Sequence, residues 1–168
     1  ACGRDPKKPA LLFADVADNP GGGGRGNTVW ILEAFHKAGV EGALLGVFYD
    51  PALAAEAHAL GKGKRFHAQF NRDESHPLSG RFEAEVEVEA LHHGNVIGRR
   101  GISAGHTIVL GPMALLKVGG IRVVVISVRQ QCKDTAMFEV FGIDIAAARS
   151  VVVKSRGHFR AAFDLLFS

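Results

Sequence analysis

Asp15 to Asn27 reads DVADNPGGGGRGN. The run before it, Ala10 to Val16, is short and apolar and predicts a buried strand, and Thr28 to Lys37 predicts a buried helix. A strand, a glycine-dense turn and a helix make the repeating unit of an α/β sheet. Consecutive glycines allow close backbone approach and can aim several N–H groups in one direction. The helix start behind them adds a positive dipole end. Two readings stay open for this turn: a cradle for a carboxylate, phosphate or oxyanion, or a turn that only packs.

Outward from the turn, the first helix holds Val29, Trp30, Ile31, Leu32, Ala34 and Phe35, which leaves little polar face and predicts cover on most sides. Ala43 to Tyr49 is a second apolar strand. Asp50 then caps a helix whose first position is Pro51, with Leu53, Ala54, Ala57 and Leu60 on one face and Gly61 as its stop. Two strand–helix units in tandem predict a parallel pair with a right-handed crossover. The period then changes to two. Phe66, Ala68 and Phe70 alternate with Arg65, His67 and Gln69, and Phe82 to Ala90 alternates with Glu83, Glu85, Glu87 and Glu89. One-sided strands of this kind are antiparallel. The four glutamates form a straight row, so a solvated face opposed by Arg65 or neighbouring cations accounts for them better than a metal.

Residues 92–106 are a glycine-rich connection whose His92, His93 and His106 lack zinc spacing and read as exposed loop histidines. Thr107 to Lys117 and Ile121 to Val128 predict two strands joined at Gly119-Gly120. A short helix follows near Thr135 to Phe141, stopped by Gly142. Val151 to Val153 predicts the last buried strand, and Gly157 to Phe167 the last helix. The whole reads as an α/β fold: a mixed sheet with parallel strand–helix units at both ends of the chain and antiparallel strands in the middle. Residues 1–9 read as a linker and 10–168 as a single domain.

Composition narrows the function classes. The 168 residues are 47% apolar and 22% charged, with a formal net charge of +3. No basic block carries interleaved aromatics, so nucleic-acid binding is not indicated. No apolar run reaches membrane-spanning length. Two cysteines, Cys2 and Cys132, make no disulfide framework and favour a reducing compartment, hence a cytoplasmic location. The chain begins at Ala1 and stops at Ser168 directly after FRAAFDLLF, an apolar helical segment without a stop signal, which leads us to expect a fragment of a longer protein.

Ligands of open α/β sheets gather at the carboxyl ends of parallel strands. Asp18 and Asn19 sit at such an end, and so do Lys154 and Ser155. Lys154 and Arg160 supply positive charge; Ser155 and His158 can exchange hydrogen bonds. An equally available reading pairs Lys154 and Arg160 with Asp15, Asp18 or helix carbonyls as structure. Gly21, Gly23 and Gly26 formally satisfy GxGxxG, but Ala17 to Pro20 separate them from the strand end, and Asp50 is already used as a cap. Ser155 and His158 lack a third member for nucleophilic catalysis. Cys132 reads as a buried, inert thiol.

Three segments together, DVADNPGGGGRGNT, GVFYDPALAAEAHALGKG and VVVKSRGHFRAAF, closely resemble the C-terminal domain of the microcystinase C (MlrC-like) family of bacterial zinc metallopeptidases. The resemblance runs from about Pro9 to Phe167 in the family's order. It implies a hydrolase of small linear peptides or other amide-bond substrates, with zinc held by His, Asp and Glu residues of an N-terminal catalytic domain. No zinc ligand and no assigned catalytic residue would then lie in this chain. The N-terminal domain and a small peptide become the expected partners, and a homo-oligomer stays open. Asp18, Asn19, Gly21, Gly22, Gly23, Lys154, Ser155, His158 and Arg160 would line the cleft opposite the metal, binding a peptide carboxylate or a developing oxyanion. Asn27 stands where the family's turn is expected to carry an acidic residue. The alternative is a non-catalytic anion- or nucleotide-binding module built on the glycine-rich turn.

Overall fold

The computed structural model describes residues 10–74 and 76–167. The linker expected at residues 1–9 lies outside them, as does Cys2. Nine strands and four helices follow in chain order among the described residues: β1 (Leu11–Ala14), α1 (Trp30–Lys37), β2 (Ala43–Tyr49), α2 (Pro51–Leu60), β3 (Arg65–Phe70), β4 (Phe82–His92), β5 (Asn95–Ile97), β6 (Thr107–Val109), β7 (Met113–Val118), β8 (Ile121–Ile126), α3 (Ala136–Glu139), β9 (Ser150–Val153) and α4 (Arg160–Phe167).

Seven strands form one mixed sheet in the order β1-β9-β2-β8-β7-β4-β3, and β5 pairs with β6 in a small second sheet. The half made of β1, β9, β2 and β8 is parallel. The half made of β7, β4 and β3 is antiparallel, joined to the first through β8. The α/β mixed sheet read from the sequence is the fold observed. β1 and β2 are parallel as expected, but β9 lies between them and pairs with both. Its Ser150–Val153 run is wholly buried, and β2 is buried on both faces up to Tyr49, as a central parallel strand should be.

Helices cover both faces of the parallel half. On one face α1 and α2 bring Leu32, Leu53, Ala54 and Ala57 against Phe48, Val123 and Val125, and this core runs on to Phe70 and Phe82. The other holds Met137 and Phe138 of α3, Ala162 and Phe163 of α4, and Val96 and Ile108 of the small sheet. In the antiparallel half the alternation behaves as read. Ala68, Phe70, Phe82, Ala84 and Val86 are buried, while the opposite face is a lattice of exposed ion pairs. Arg65 Nε donates to Glu87 at 3.1 Å, His67 bridges Glu83 and Glu85, and Arg122 Nε donates to Glu89 at 2.7 Å.

Several element readings need correction. β1 is an edge strand, not a buried one, with Phe13 39% exposed, and Val16 has already left it for a single 3-10 turn. α1 is not covered on most sides: Leu32 is buried, but Trp30 is 54% exposed and reaches out to donate its indole N–H to the Leu78 carbonyl. Leu60, the last residue of α2, is 41% exposed. The expected strand from Thr107 to Lys117 is two strands in two sheets. Gly111, with φ +65°, and Pro112, which has no N–H, break the ladder between them.

Candidate functional site at the carboxyl edge of the parallel strands

β1, β9 and β2 run out at one edge, and the segments that follow them fold over it. Lys154 is the first residue after β9 and is 1% exposed. Its ammonium lies 2.9 Å from Asp15 Oδ2, 2.7 Å from Asp18 Oδ2, 2.9 Å from the Thr28 carbonyl and 3.1 Å from Thr28 Oγ1. Three N–H groups are thus spent on four acceptors of the same chain. The ammonium also stands 5.5 Å from the Phe48 ring centroid. The first turn and the last strand, 136 positions apart, meet at this one cation.

Asp18 is buried and holds more than the lysine. Its Oδ1 accepts from the Gly26 amide at 2.6 Å, and its Oδ2 accepts from the Thr28 amide at 2.7 Å and the Thr28 hydroxyl at 3.0 Å. Burial raises its pKa, but the Lys154 charge and hydrogen bond, with the two amides, outweigh that and bring it below the ordinary carboxylate range. The remaining glycine amides are also used. Gly21 N–H donates to Asn19 Oδ1 at 3.1 Å, Gly22 and Gly24 donate to the Asn19 carbonyl, and Gly23 donates to the Pro20 carbonyl. All three glycines of the GxGxxG match therefore spend their amides internally. The turn does cradle an anion, and that anion is the chain's own Asp18.

A second network ties the turn to the loop after β3. Asn27 Nδ2 donates to Glu74 Oε2 at 2.7 Å, and Asn27 Oδ1 accepts from Ser79 Oγ at 2.8 Å. Asn71, in the left-handed region at φ +61°, sends Nδ2 to the Asn27 and Gly80 carbonyls, while its amide donates to Asp50 Oδ2 at 2.8 Å. Asp50 Oδ1 meanwhile accepts from Leu53 N at 3.0 Å, the cap expected from the sequence, and burial pushes the Asp50 carboxyl up. Burial also acts to raise Glu74, but the His76 amide, Asn27 and Arg25 prevail and lower it to about 2. Arg25, Asn27, Tyr49, Asp50, Asn71 and Glu74 stand around a hollow of about 340 Å³.

On the other flank of the turn, Gln131 joins the two corners. Its Nε2 lies 2.9 Å from Ser155 Oγ and its Oε1 lies 2.9 Å from His158 Nδ1. A Cβ on Gly21 would come within 2.5 Å of the same Oε1. The geometry sorts the candidates by exposure. Asp18, Asn19, Asn27, Lys154 and Ser155 are buried and brace the edge; Gly21, Gly22, Gly23 and His158 face solvent. Arg160 belongs elsewhere. Its guanidinium lies 5.8 Å from the Phe159 ring centroid, beside a hollow between β1 and α4. Thr28, Asn71, Glu74, Ser79 and Gln131 were not singled out from sequence. Only Gln131 had a usable signal, its place in the segment that leaves the central strand β8. Cys132 is fully buried, and burial, helped by Asp134, pushes its thiol far up, as an inert thiol requires.

The family described as "MlrC C-terminus" matches residues 13–167. Microcystinase C of Sphingomonas sp. is 23% identical over 153 residues, which are 91% of this chain and 29% of that protein. The crystal structure of a "Putative metallopeptidase" from Mesorhizobium sp. BNC1 superposes with a TM-score of 0.83 at 19% identity, covering 95% of this chain and 32% of that one. The chain spans about a third of the length of these two proteins.

Proposed function

The chain belongs to the MlrC C-terminus family, and from that premise we propose that it is the C-terminal domain of a longer zinc-dependent peptidase acting on small linear peptides or other amide-bond substrates. The observation that carries this reading is the Lys154 clamp. It fixes the glycine turn and the Lys154–His158 corner side by side at the edge where open α/β sheets take their ligands. Among the described residues no group of three or more His, Cys, Asp or Glu side chains is placed to hold a metal ion. Zinc does not fit the described residues, and we assign its ligands to the N-terminal catalytic domain of the same polypeptide.

The role of this domain is to present a rigid, prearranged wall to the substrate. Exposed Gly21 to Gly23 and His158 are the groups that touch it. Buried Asp18, Asn19, Asn27, Lys154 and Ser155 hold those groups in place, and Arg160 has no share in that wall. The nucleotide-module reading loses ground because Asp18 already occupies the amides a phosphate would need.

The test is hydrolysis of a small linear peptide. The longer protein should cleave it and lose that activity to a chelator, while this chain supplied with zinc should not. Turnover by this chain at a rate comparable to the longer protein would overturn the assignment.

A further inference from the structure

The hydrogen bonds of Gln131 determine which nitrogen of His158 carries the proton. Oε1 of an amide can only accept, so the 2.9 Å contact with His158 Nδ1 requires a proton on Nδ1. The opposite amide orientation would put an NH₂ group at that place and demand the other tautomer. The amide group that faces away from His158 lies 2.9 Å from Ser155 Oγ. The Ser155 hydroxyl can donate or accept and satisfies either orientation, and the approach of Gly21 selects the first. Gly21 presses its Cα hydrogens toward Oε1, since a Cβ built there would stand 2.5 Å from Oε1 and 3.1 Å from Nε2. A C–H facing an oxygen is a weak attraction, whereas the same approach to an NH₂ group is a clash. Gln131 is 7% exposed and Ser155 fully buried, so the relay is fixed, while the His158 ring reaches solvent.

We propose that Gln131 holds neutral His158, an exposed residue, as the Nδ1–H tautomer, so that its Nε2 carries a lone pair that accepts a hydrogen bond from an N–H group of a peptide ligand. The choice of a peptide rests on the function proposed above; the tautomer does not. This makes neutral His158 an acceptor, where the family resemblance implies a group for a carboxylate or an oxyanion. A lone pair repels either of those and suits an amide N–H or an ammonium. Gln131 is the positioning residue, and Gly21 keeps it oriented.

Nitrogen-15 NMR of the imidazole side chains in this chain tests the first half. His158 should show a pyridine-type Nε2 and a pyrrole-type Nδ1. Q131L should return the ring to the Nε2–H form, and G21A, which displaces Gln131 without touching His158, should do so in part. An Nε2–H tautomer in the wild-type chain overturns the proposal. Kinetics of the longer protein with a small linear peptide test the second half. H158F should raise KM about tenfold, the worth of one hydrogen bond, with little change in kcat. H158Q, which puts an acceptor oxygen near the place of Nε2, should restore most of that loss. An unchanged KM in H158F overturns the acceptor role and leaves the peptidase assignment standing. A wild-type longer protein that cleaves no peptide overturns that assignment and the ligand with it, while the measured tautomer still decides the first half.

Discussion

Lys154 sits in a place where a cation is tolerated only because two carboxylates meet it. Replacing one member of a buried ion pair strands the others, at about 3–5 kcal/mol. K154M should therefore lower stability by that order in urea denaturation, and adding D18N should recover part of the loss. The same residues set the acid limit. Asp18 has a folded pKa below its ordinary 3.8, so its contribution is fully present above that value and is lost as pH falls through the folded pKa. Glu74 acts likewise, between its ordinary 4.5 and about 2. Unfolding followed from pH 6 down to pH 2 should show the decline, and E74Q should flatten the part of it below pH 4.5. Asn27 offers a sharper case, because its amide donates to Glu74. N27D, which supplies the acidic group expected from the family, would set two carboxylates against each other. It should destabilise the domain by about 1–3 kcal/mol at neutral pH, with the deficit shrinking as the pair takes up a proton.

At the scale of elements, the glycine turn was legible as a turn and as an anion cradle, but not as one already filled. Asp18 sits eight residues before Gly26, and nothing in residue order says that its side chain folds back over the amides. Conformation separates glycines that look alike in sequence. Gly23 adopts φ +92° with open space around it, whereas a Cβ on Gly24 would lie 2.6 Å from the Asn19 backbone nitrogen. G23A should cost about 1–2 kcal/mol for its left-handed backbone. G24A should cost more, because it must part the backbone and break the Gly24–Asn19 hydrogen bond, and thermal melts of the two variants compare them directly. β2 and α2 were read correctly to the residue, because Asp50, Pro51 and Gly61 are local signals that tertiary packing respects. The exposure of β1 and α1 does not follow from their apolar content, which does not reveal which strand is at an edge. Thr107 to Lys117 reads as one strand because apolar residues stand on both sides of Gly111-Pro112.

For the molecule as a whole, the sequence carried the class of the sheet but not its order. Val151 to Val153 announces a buried strand. Its partners, β1 and β2, lie more than a hundred residues upstream, and no local pattern names them. The parallel half cannot close without β9. A chain ending at Arg149 should lose cooperative unfolding, as read by circular dichroism during heating, because β1 would have no neighbour and β2 only β8.

The position of Lys154 also governs timing. Asp15 and Asp18 leave the ribosome before Lys154 and must stay hydrated until their counter-charge is synthesised. The first turn is therefore among the last parts of this domain to mature, although it is made well before β9. Pulse-labelled deuterium exchange during refolding should show the amides of Gly26 and Thr28 gaining protection in the same kinetic phase as those of β9, and later than those of the β3–β4 pair.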